Sequence, residues 1–264
     1  GLIDWNFSIF DEGFFTLPED GRIYRDWKEG GHGNTNLFKA ITQSSNTYFF
    51  DLAYRSDINQ LNKHLSSLGF GDKACIDCFE EDQVFVPEPS WKMNKHNFGW
   101  FKGDTVNMGV GQGYLVSTPI QLAKYAYIMA NKGKFFDLSL KKDLVKSEKS
   151  IEFNKFSNDD WFKLHESMVN VIEGNTGTAR RLREKKNYIV AAKTGTAELV
   201  SGDNREQYSE TRLDDSLRDH ALIIAFGPMP NPRYAVSVVV ENGESGGSVA
   251  GPVAISVLNS LIQE

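Results

Sequence analysis

Apolar residues recur at helical spacing in five segments of this chain. The pattern predicts helices over residues 36–54, 58–69, 118–133, 157–172 and 249–262. Ser44-Ser45-Asn46 interrupts the first segment, and we expect a break into two helices there, because Ser and Asn side chains compete for backbone hydrogen bonds. Thr118 and Gln121 form a capping box at the start of the third segment, with a proline at its first helical position.

Runs of β-branched and small apolar residues predict three strands in the second half of the chain, over residues 189–199, 221–226 and 234–241. Sequential strands joined by short links pair antiparallel, and we expect the neighbouring helices to cover the sheet. The first third mixes aromatic residues, glycines and charges, which is typical of loops and short strands. The predicted fold class is therefore α/β, with an antiparallel sheet flanked by helices and a sizeable helical insertion.

Length and composition limit the classes of protein to consider. At 264 residues the chain is long enough for one large domain or two small ones, and 40% hydrophobic with 24% charged residues is ordinary for a globular protein. A net charge of -6 argues against a general nucleic-acid binder. No apolar stretch is long enough to span a bilayer. Because the chain opens on Gly1 in structured-looking sequence, we expect a fragment of a longer protein.

Two short motifs allow more than one interpretation. Cys75-Ile76-Asp77-Cys78 has the spacing of a redox or half-metal motif, but a second cysteine pair is missing. Two cysteines in a strand or loop, bridged in an oxidising compartment, are the simpler interpretation. The glycine-rich run over residues 108–113 fits neither nucleotide-binding fingerprint, and we favour a close approach of its backbone to an active-site wall.

Lys193-Thr194-Gly195-Thr196 is the strongest candidate for chemistry in the chain. It lies in the first predicted strand, where a cation, two hydroxyls and a glycine along one edge suit a carboxylate and the close approach of a substrate backbone. Thr194 and Thr196 are predicted to bind the carboxylate. Gly195 is predicted to allow the substrate to lie close, and the backbone N–H of Thr196 is a candidate for half of an oxyanion hole.

The Ser-x-Asn triplet supplies the other candidate residues. Acyl transfer through a serine ester needs a nucleophile, a base, an oxyanion hole and a group that passes a proton to the leaving amine. Ser44 and Lys193 are predicted to form a Ser–Lys relay, and Asn46 is predicted to hold a substrate amide. The charged loop over residues 200–219 follows the Lys-Thr-Gly-Thr strand, and we expect it to be mobile and to gate a bulky peptide acceptor.

Three longer segments resemble a known family. They are residues 24–33, residues 103–114 together with 118–121, and residues 217–221. With the two short motifs, they make nearly the whole chain resemble the transpeptidase domain of class B penicillin-binding proteins, in the branch that serves rod-shape elongation. The resemblance implies the penicillin-binding protein and serine β-lactamase-like fold with an all-helical subdomain. It implies one transpeptidase domain over residues 1–264 that lacks the segment with the Ser-x-x-Lys motif.

The resemblance also implies a function. The family consists of D,D-transpeptidases that cross-link peptidoglycan stem peptides in cell-wall elongation and shape maintenance and are acylated by β-lactams. The implied partners are stem peptides, β-lactam antibiotics, a membrane glycosyltransferase and other elongation-complex proteins, without nucleic acid. The implied location is the periplasmic face of the bacterial inner membrane, through an anchor outside this chain. Two alternatives stay open: a serine β-lactamase or D,D-carboxypeptidase on the same fold, and a non-catalytic β-lactam sensor.

Two departures from the family pattern matter. The acylated serine and its lysine are expected upstream of the first residue. Some members of the branch also place two Asp, a His and a Cys around a zinc ion, and Asp11, Asp26 and His32 match the first three, whereas Ser45 stands at the Cys position. A hydroxyl is a far poorer zinc ligand than a thiolate, so we expect zinc to be weak or absent and the cluster to brace the Ser-x-Asn turn. The other histidines, including His220, are predicted to have structural roles.

Overall fold

The computed structural model describes residues 2–82, 84–142, 147–151, 156–199 and 215–263. The chain divides into two compact units, Gly1–Gln121 with Gly133–Ser157 and Leu122–Lys132 with Asn158–Glu264. Most of the predicted gating loop, residues 200–214, lies outside the described residues. Across the part that is described, every helix falls short of the length and apolar character needed to cross a bilayer.

The first unit starts with two antiparallel strand pairs. β1 (Ser8–Asp11) pairs with β4 (Gly33–Asn36), and β2 (Phe14–Thr16) pairs with β3 (Ile23–Arg25). The helices that follow are α1 (Leu37–Gln43), α2 (Asn46–Arg55), α3 (Ile58–Ser67), α4 (Pro89–His96) and α5 (Lys102–Met108). A short pair of strands, β5 (Lys134–Phe135) and β6 (Lys149–Ser150), completes the unit.

Close packing of α2 against α5 defines the core of this unit. The core side chains are apolar and almost fully buried: Leu17, Tyr24, Phe50 and Val106. Gly109 follows α5 directly, and a Cβ atom there would lie 2.4 Å from the Cβ of Ala53 on α2. The glycine-rich run therefore brings the backbone against α2, the helix that begins at the Ser-x-Asn triplet.

The two cysteines form a disulfide, which confirms the bridged interpretation. The loop that carries it is also held by carboxylates. Glu81 accepts hydrogen bonds from the backbone N–H groups of Ala74 and Cys75, at 2.7 and 3.0 Å. Asp77 accepts the N–H of Leu140 at 2.9 Å. The disulfide is thus part of a well-fixed loop in the first unit.

The second unit is a three-stranded antiparallel sheet covered by helices. The strands are β7 (Ala191–Ala197), β8 (His220–Gly227) and β9 (Tyr234–Val240), in the order β7-β8-β9. α6 (Pro119–Ala130) begins in the first unit and continues into this one. α7 (Asn158–Glu173), the 3-10 helix Arg180–Lys185, the π-helix Gly246–Ala250 and α8 (Gly251–Gln263) complete it.

One apolar cluster holds the second unit together. α7 packs against β7, and α8 packs against β9. The cluster draws buried residues from these helices, from the 3-10 helix and from β7 and β8, and its larger members are Val171, Ile172, Leu182, Val190, Ile223, Ile255 and Leu258. Because the inward positions of β8 alternate with less buried ones, the sheet presents one apolar face to the helices.

The predicted elements are confirmed, and the differences concern short elements that were not predicted and the start of the closing helix. The first helical segment does split, into α1 and α2, at the Ser-x-Asn triplet. The capping box at Thr118 and Gln121 forms, with reciprocal hydrogen bonds of 3.1 and 3.3 Å. The closing helix starts earlier than predicted, as a π-helix at Gly246. α4 and α5, which the pattern did not assign, are short helices of 8 and 7 residues. Local periodicity over so few turns gives a weak signal.

The contact between Gly109 and α2 can be tested by adding a single methyl group. We expect Gly109→Ala to lower the free energy of unfolding by about 1–3 kcal/mol, because the new Cβ overpacks the α2–α5 contact. The matched control is Gly99→Ala, where a Cβ meets nothing within 4 Å. That control is expected to change stability by less than about 0.5 kcal/mol. Urea unfolding measures both, and equal effects would contradict the packing argument.

Candidate active site

The predicted site residues fall into two groups, one in each unit. Ser44 and Asn46 lie at the junction of α1 and α2, in the first unit. Lys193-Thr194-Gly195-Thr196 lies on β7, in the second unit. Contacts within its own unit hold each group in place. The relay between Ser44 and Lys193 stays a prediction.

The Ser-x-Asn triplet forms a sharp break between two helices. Ser44 is the C-cap residue that follows α1, and it adopts the left-handed conformation with φ 58° and ψ 46°. Ser45 is extended and caps α2, because its Oγ accepts the backbone N–H of Tyr48 at 3.2 Å. The left-handed conformation is uncommon for residues other than glycine, so neighbouring contacts have to hold Ser44 in place.

Asp26 and Trp27, which follow β3, supply such contacts. Oδ2 of Asp26 accepts the backbone N–H of Thr47 at 3.0 Å and its hydroxyl at 3.3 Å, in the first turn of α2. A carboxylate at this end of a helix also suits the helix dipole. Nε1 of Trp27 donates to the carbonyl oxygen of Ser44 at 2.9 Å. The backbone on both sides of the triplet is therefore tied to the loop after β3.

Asp11, the last residue of β1, is fully buried beneath the junction. Its Oδ2 accepts the hydroxyl of Ser45 at 2.6 Å and the Nδ1–H of His32 at 2.8 Å. Its Oδ1 accepts the backbone N–H of Gly13 at 2.8 Å. Gly31, with φ 70°, closes over the same carboxylate, and a Cβ there would lie only 2.6 Å from Oδ1. A glycine is thus required for the loop to approach Asp11.

These hydrogen bonds keep Asp11 charged although it is buried. Burial raises the pKa of the Asp11 carboxyl, but the hydrogen bonds from Ser45, Gly13 and His32 together outweigh burial and leave the pKa below its usual value of 3.8. Because the pKa is lowered on folding, the stabilisation is present above the unfolded value. It is lost as the pH falls through the lower folded value.

The residues of this cluster are those that the family resemblance implies for a zinc site, and their geometry shows whether they fit one. Ligand atoms of Asp11, Asp26 and His32 lie within 4.8 Å of one another, and the buried Nε2 of His32 has no hydrogen-bond partner among the described residues. However, the ring atom that faces the carboxylates is Nδ1, which lies 2.8 Å from Asp11 and 3.8 Å from Asp26. A zinc ion would displace the hydrogen bonds to Asp11 and take the hydroxyl of Ser45 as a fourth ligand. The donor set does not fit a tightly held zinc ion.

The Lys-Thr-Gly-Thr residues lie on an edge strand. β7 pairs with β8, so that Lys193 lies opposite Ile224 and Thr196 lies opposite Ala221. Within the described ranges, no strand pairs with the other edge of β7. The backbone groups along such an edge are able to pair with an added peptide strand.

The environment of Lys193 lowers the affinity of its amine for a proton. The side chain is partly buried, and its Nζ donates to the carbonyl oxygen of Thr194 at 2.8 Å. Burial disfavours the charged form and lowers the pKa of Lys193 from 10.5 to about 8. An amine with this pKa exchanges a proton readily near neutral pH, as a relay group requires.

The turn after β9 packs closely against the end of β7. A Cβ on Gly246 would lie 2.7 Å from the carbonyl oxygen of Gly195, so the π-helix begins in contact with the strand backbone. The hydroxyl of Thr196 lies 3.4 Å from the carbonyl oxygen of Glu244, longer than a strong O–H···O hydrogen bond. The close backbone packing at Gly246 fixes the position of the strand, as a binding site for a substrate backbone requires.

Some contacts to the site residues were not predicted. Thr178, in the loop after α7, places its Oγ1 2.7 Å from the Oγ1 of Thr194. The sequence pattern assigns no role to Trp27. Neither residue belongs to a motif that signals the contact, because each partner lies 16 or 17 residues away along the chain. His220 makes a structural hydrogen bond, as predicted: its Nδ1 accepts the backbone N–H of Asn242 at 2.9 Å.

A Ser-x-Asn helix junction and a Lys-Thr-Gly edge strand are two of the three motifs of the serine enzymes that β-lactams acylate. The chain belongs to the penicillin-binding protein transpeptidase family, since the family described as "Penicillin binding protein transpeptidase domain" matches residues 1–259. The fold class and the family that the sequence predicted are thereby confirmed.

Named relatives of the chain are peptidoglycan D,D-transpeptidases and PBP2 structures. It is 38% identical to peptidoglycan D,D-transpeptidase MrdA of Acinetobacter baumannii over 95% of its length, and 36% identical to that of Haemophilus influenzae over 100%. It spans 38% and 42% of those two relatives. Pseudomonas aeruginosa PBP2, solved with WCK 5153, is similar with a TM-score of 0.87 and 34% identity over 100% of this chain and 57% of that one. Helicobacter pylori PBP2, solved with MreC, is similar with a TM-score of 0.85 and 31% identity over 98% of this chain and 46% of that one.

We propose that the Asp11 cluster binds zinc weakly, because its fourth donor is the hydroxyl of Ser45. Elemental analysis of protein purified without chelator is expected to find zinc well below one equivalent. Ser45→Cys is expected to raise the zinc content, since a thiolate is a much better ligand. As the matched control, the double variant Ser45→Cys with His32→Ala should lose that gain. Stoichiometric, tightly held zinc in the unmodified protein would contradict the proposal.

The lowered pKa of Lys193 predicts a pH-dependent stability. We expect Lys193→Met to raise the free energy of unfolding at pH 7 by about 1–3 kcal/mol, because one pKa unit corresponds to about 1.4 kcal/mol and the side chain keeps some exposure. Between about pH 8 and 10.5, the unfolded chain binds more protons at this lysine than the folded protein does. The stability of the unmodified protein therefore rises with pH in this window, and the advantage of the variant shrinks.

Urea unfolding at several pH values measures this effect, with Lys185→Met as the control because Lys185 is exposed. A Lys193→Met variant that is less stable than the unmodified protein at pH 7 would show that burial of Lys193 does not destabilise the folded protein.

Proposed function

We propose that the protein containing this chain is a peptidoglycan D,D-transpeptidase, which cross-links stem peptides in cell-wall elongation and is inhibited by β-lactams. The observation that carries the proposal is the Lys-Thr-Gly-Thr sequence on β7, along the edge with which no described strand pairs. A stem peptide that ends in a carboxylate pairs with the backbone of this edge and places its carboxylate near a cation and two hydroxyls. The named MrdA relatives support this substrate class.

The proposed reaction proceeds through a serine ester. The serine of the Ser-x-x-Lys motif, expected upstream of this chain, attacks the carbonyl carbon of the penultimate D-alanine. The C–N bond breaks, and the leaving D-alanine amine takes up the proton that the serine gives. The amine of a second stem peptide then attacks the ester, forms the new amide and releases the serine. A β-lactam enters the same route, but its opened ring stays attached to the serine.

The residues of this chain serve the proton and charge transfers in that scheme. Ser44 and Lys193 form the relay that carries the proton to the leaving amine, for which a lysine pKa of about 8 is well suited. Asn46 holds a substrate amide. Thr194 and Thr196 bind the carboxylate, and the N–H of Thr196 contributes to the oxyanion hole.

We propose the periplasmic face of the inner membrane as the site of action. The Cys75–Cys78 disulfide supports this location, because disulfides persist in oxidising compartments. Elongation-complex proteins are the proposed partners, together with a membrane glycosyltransferase. The complex of Helicobacter pylori PBP2 with MreC supports a partner of that kind.

The proposal predicts covalent labelling that depends on both groups of site residues. The longer protein that carries the Ser-x-x-Lys motif is expected to form a stable adduct with a fluorescent penicillin, and residues 1–264 alone are not. Lys193→Ala and Ser44→Gly are each expected to slow acylation by about two to four orders of magnitude, the range for removing an acid–base partner. Glycine is chosen for Ser44 because it favours the left-handed conformation and removes only the hydroxymethyl group.

Stopped-flow or gel-based labelling rates measure these effects, with Lys185→Ala as the matched control on an exposed lysine of the same unit. Labelling of residues 1–264 at a discrete serine would contradict the assignment of the nucleophile. Near-normal acylation by a folded Ser44→Gly protein would remove Ser44 from the mechanism. An adduct that hydrolyses rapidly, with turnover of penicillin, would identify a β-lactamase instead.

A further inference from the structure

A hydrogen bond between two hydroxyls links the Lys-Thr-Gly-Thr strand to the loop after α7. Oγ1 of Thr178 lies 2.7 Å from Oγ1 of Thr194, and both side chains are only partly buried. The proposed function assigns the substrate carboxylate to Thr194, whereas it gives Thr178 no role. The distance is typical of an O–H···O hydrogen bond, so one of the two hydroxyls donates its proton to the oxygen of the other.

The direction of this hydrogen bond decides what Thr194 offers to a ligand. A hydroxyl donates one hydrogen and accepts through two lone pairs. When Thr194 donates to Thr178, its proton points toward Thr178 and is not available to a carboxylate. When Thr178 donates to Thr194, the proton of Thr194 is free to point elsewhere. A carboxylate only accepts hydrogen bonds, so its presence favours the second arrangement.

Close packing on both sides fixes the backbone around Thr178. A Cβ on Gly177 would lie 2.3 Å from the carbonyl oxygens of Asn170 and Val171 at the end of α7. A Cβ on Gly247, in the π-helix, would lie 2.5 Å from the carbonyl oxygen of Thr178 itself. Glycine is needed at both positions for the segments to meet. Thr178 is therefore held rigidly beside β7, as a residue that orients another side chain has to be.

We propose that Thr178 is a positioning residue for Thr194: its hydroxyl donates to Thr194 Oγ1 and turns the Thr194 O–H toward the carboxylate of a stem peptide or β-lactam. The inference rests on the proposed function. It assigns Thr178 a role in recognising the charge of the ligand, distinct from a role in folding. The contribution of Thr178 to the acylation rate therefore depends on whether the ligand carries a carboxylate.

The test compares acylation of the longer protein by benzylpenicillin and by its neutral methyl ester. Thr178→Val keeps the branched shape and removes the hydroxyl. It is expected to lower the second-order acylation rate for the acid by about 5- to 30-fold, the effect of losing one hydrogen bond in a charged contact. The rate for the ester is expected to stay within about twofold of the unmodified protein, because no carboxylate is bound. Thr178→Ser restores the hydroxyl and is expected to recover most of the rate.

A double-variant comparison separates positioning from an independent contact. Thr194→Val alone is expected to slow the reaction with the acid at least as much as Thr178→Val does. Thr178→Val together with Thr194→Val should then be no slower than Thr194→Val alone, because both hydroxyls act through one contact. Independent, multiplying losses would overturn the inference. If Thr178→Val does not fold, Thr178→Ala takes its place in every comparison.

The outcomes also distinguish this inference from the proposed function. An unmodified protein that neither probe acylates would overturn the proposed function and the inference with it. Normal acylation of the unmodified protein, with Thr178→Val equally fast, would overturn the inference alone. An equal loss for the acid and the ester would assign Thr178 a structural role and would also overturn it.

Discussion

The geometry of the first unit depends on one buried carboxylate. Burying a charged Asp11 is tolerable only because Ser45, His32 and Gly13 donate hydrogen bonds to it. The hydroxyl of Ser45 also caps α2, so the group that satisfies Asp11 is the one that sets where the helix begins. The left-handed conformation of Ser44 follows from this arrangement, since it lies between a fixed helix end and a fixed helix start. A residue outside the proposed chemistry thereby determines where Ser44 and Asn46 lie.

The presence of a serine in this cluster has a physical consequence. A hydroxyl donates and accepts at the same time, so Ser45 satisfies the carboxylate of Asp11 and the backbone N–H of Tyr48 together. A thiolate has no proton to donate and would repel the carboxylate unless a cation lay between them. We infer that hydrogen bonds stabilise the buried carboxylate in this cluster, as a metal ion does in clusters that contain a cysteine. Such a cluster loses its stabilisation in acid, because protonation of Asp11 removes the charge that its donors favour.

Most of the fold could be predicted because its signals are local. The break at the Ser-x-Asn triplet, the capping box at Thr118 and the strands around Lys193 each follow from residues within a few positions. α5 escaped prediction because 7 residues are too few for a clear periodicity. The bracing of the Ser-x-Asn turn by Asp11 and Asp26 was predicted through the family resemblance, and the structure confirms it. The contact between Thr178 and Thr194 was missed for a different reason: it spans 16 residues and depends on how the loop after α7 folds back onto β7, which spacing alone does not encode.

In the second unit, burial of Lys193 lowers the stability of the fold but suits the proposed chemistry. Burying an amine disfavours folding at neutral pH, yet the same burial lowers the pKa of Lys193 to about 8, which suits proton transfer. The apolar cluster behind the sheet stabilises the unit that carries this lysine. Glycines then allow neighbouring segments to pack closely against β7: Gly246 contacts the backbone of Gly195, and Gly247 contacts the loop of Thr178. Because this packing holds β7 in place without a ligand, the free energy of ligand binding is not needed to order the strand, and in the proposed function it is available for recognition by the hydroxyls and the charge at its edge.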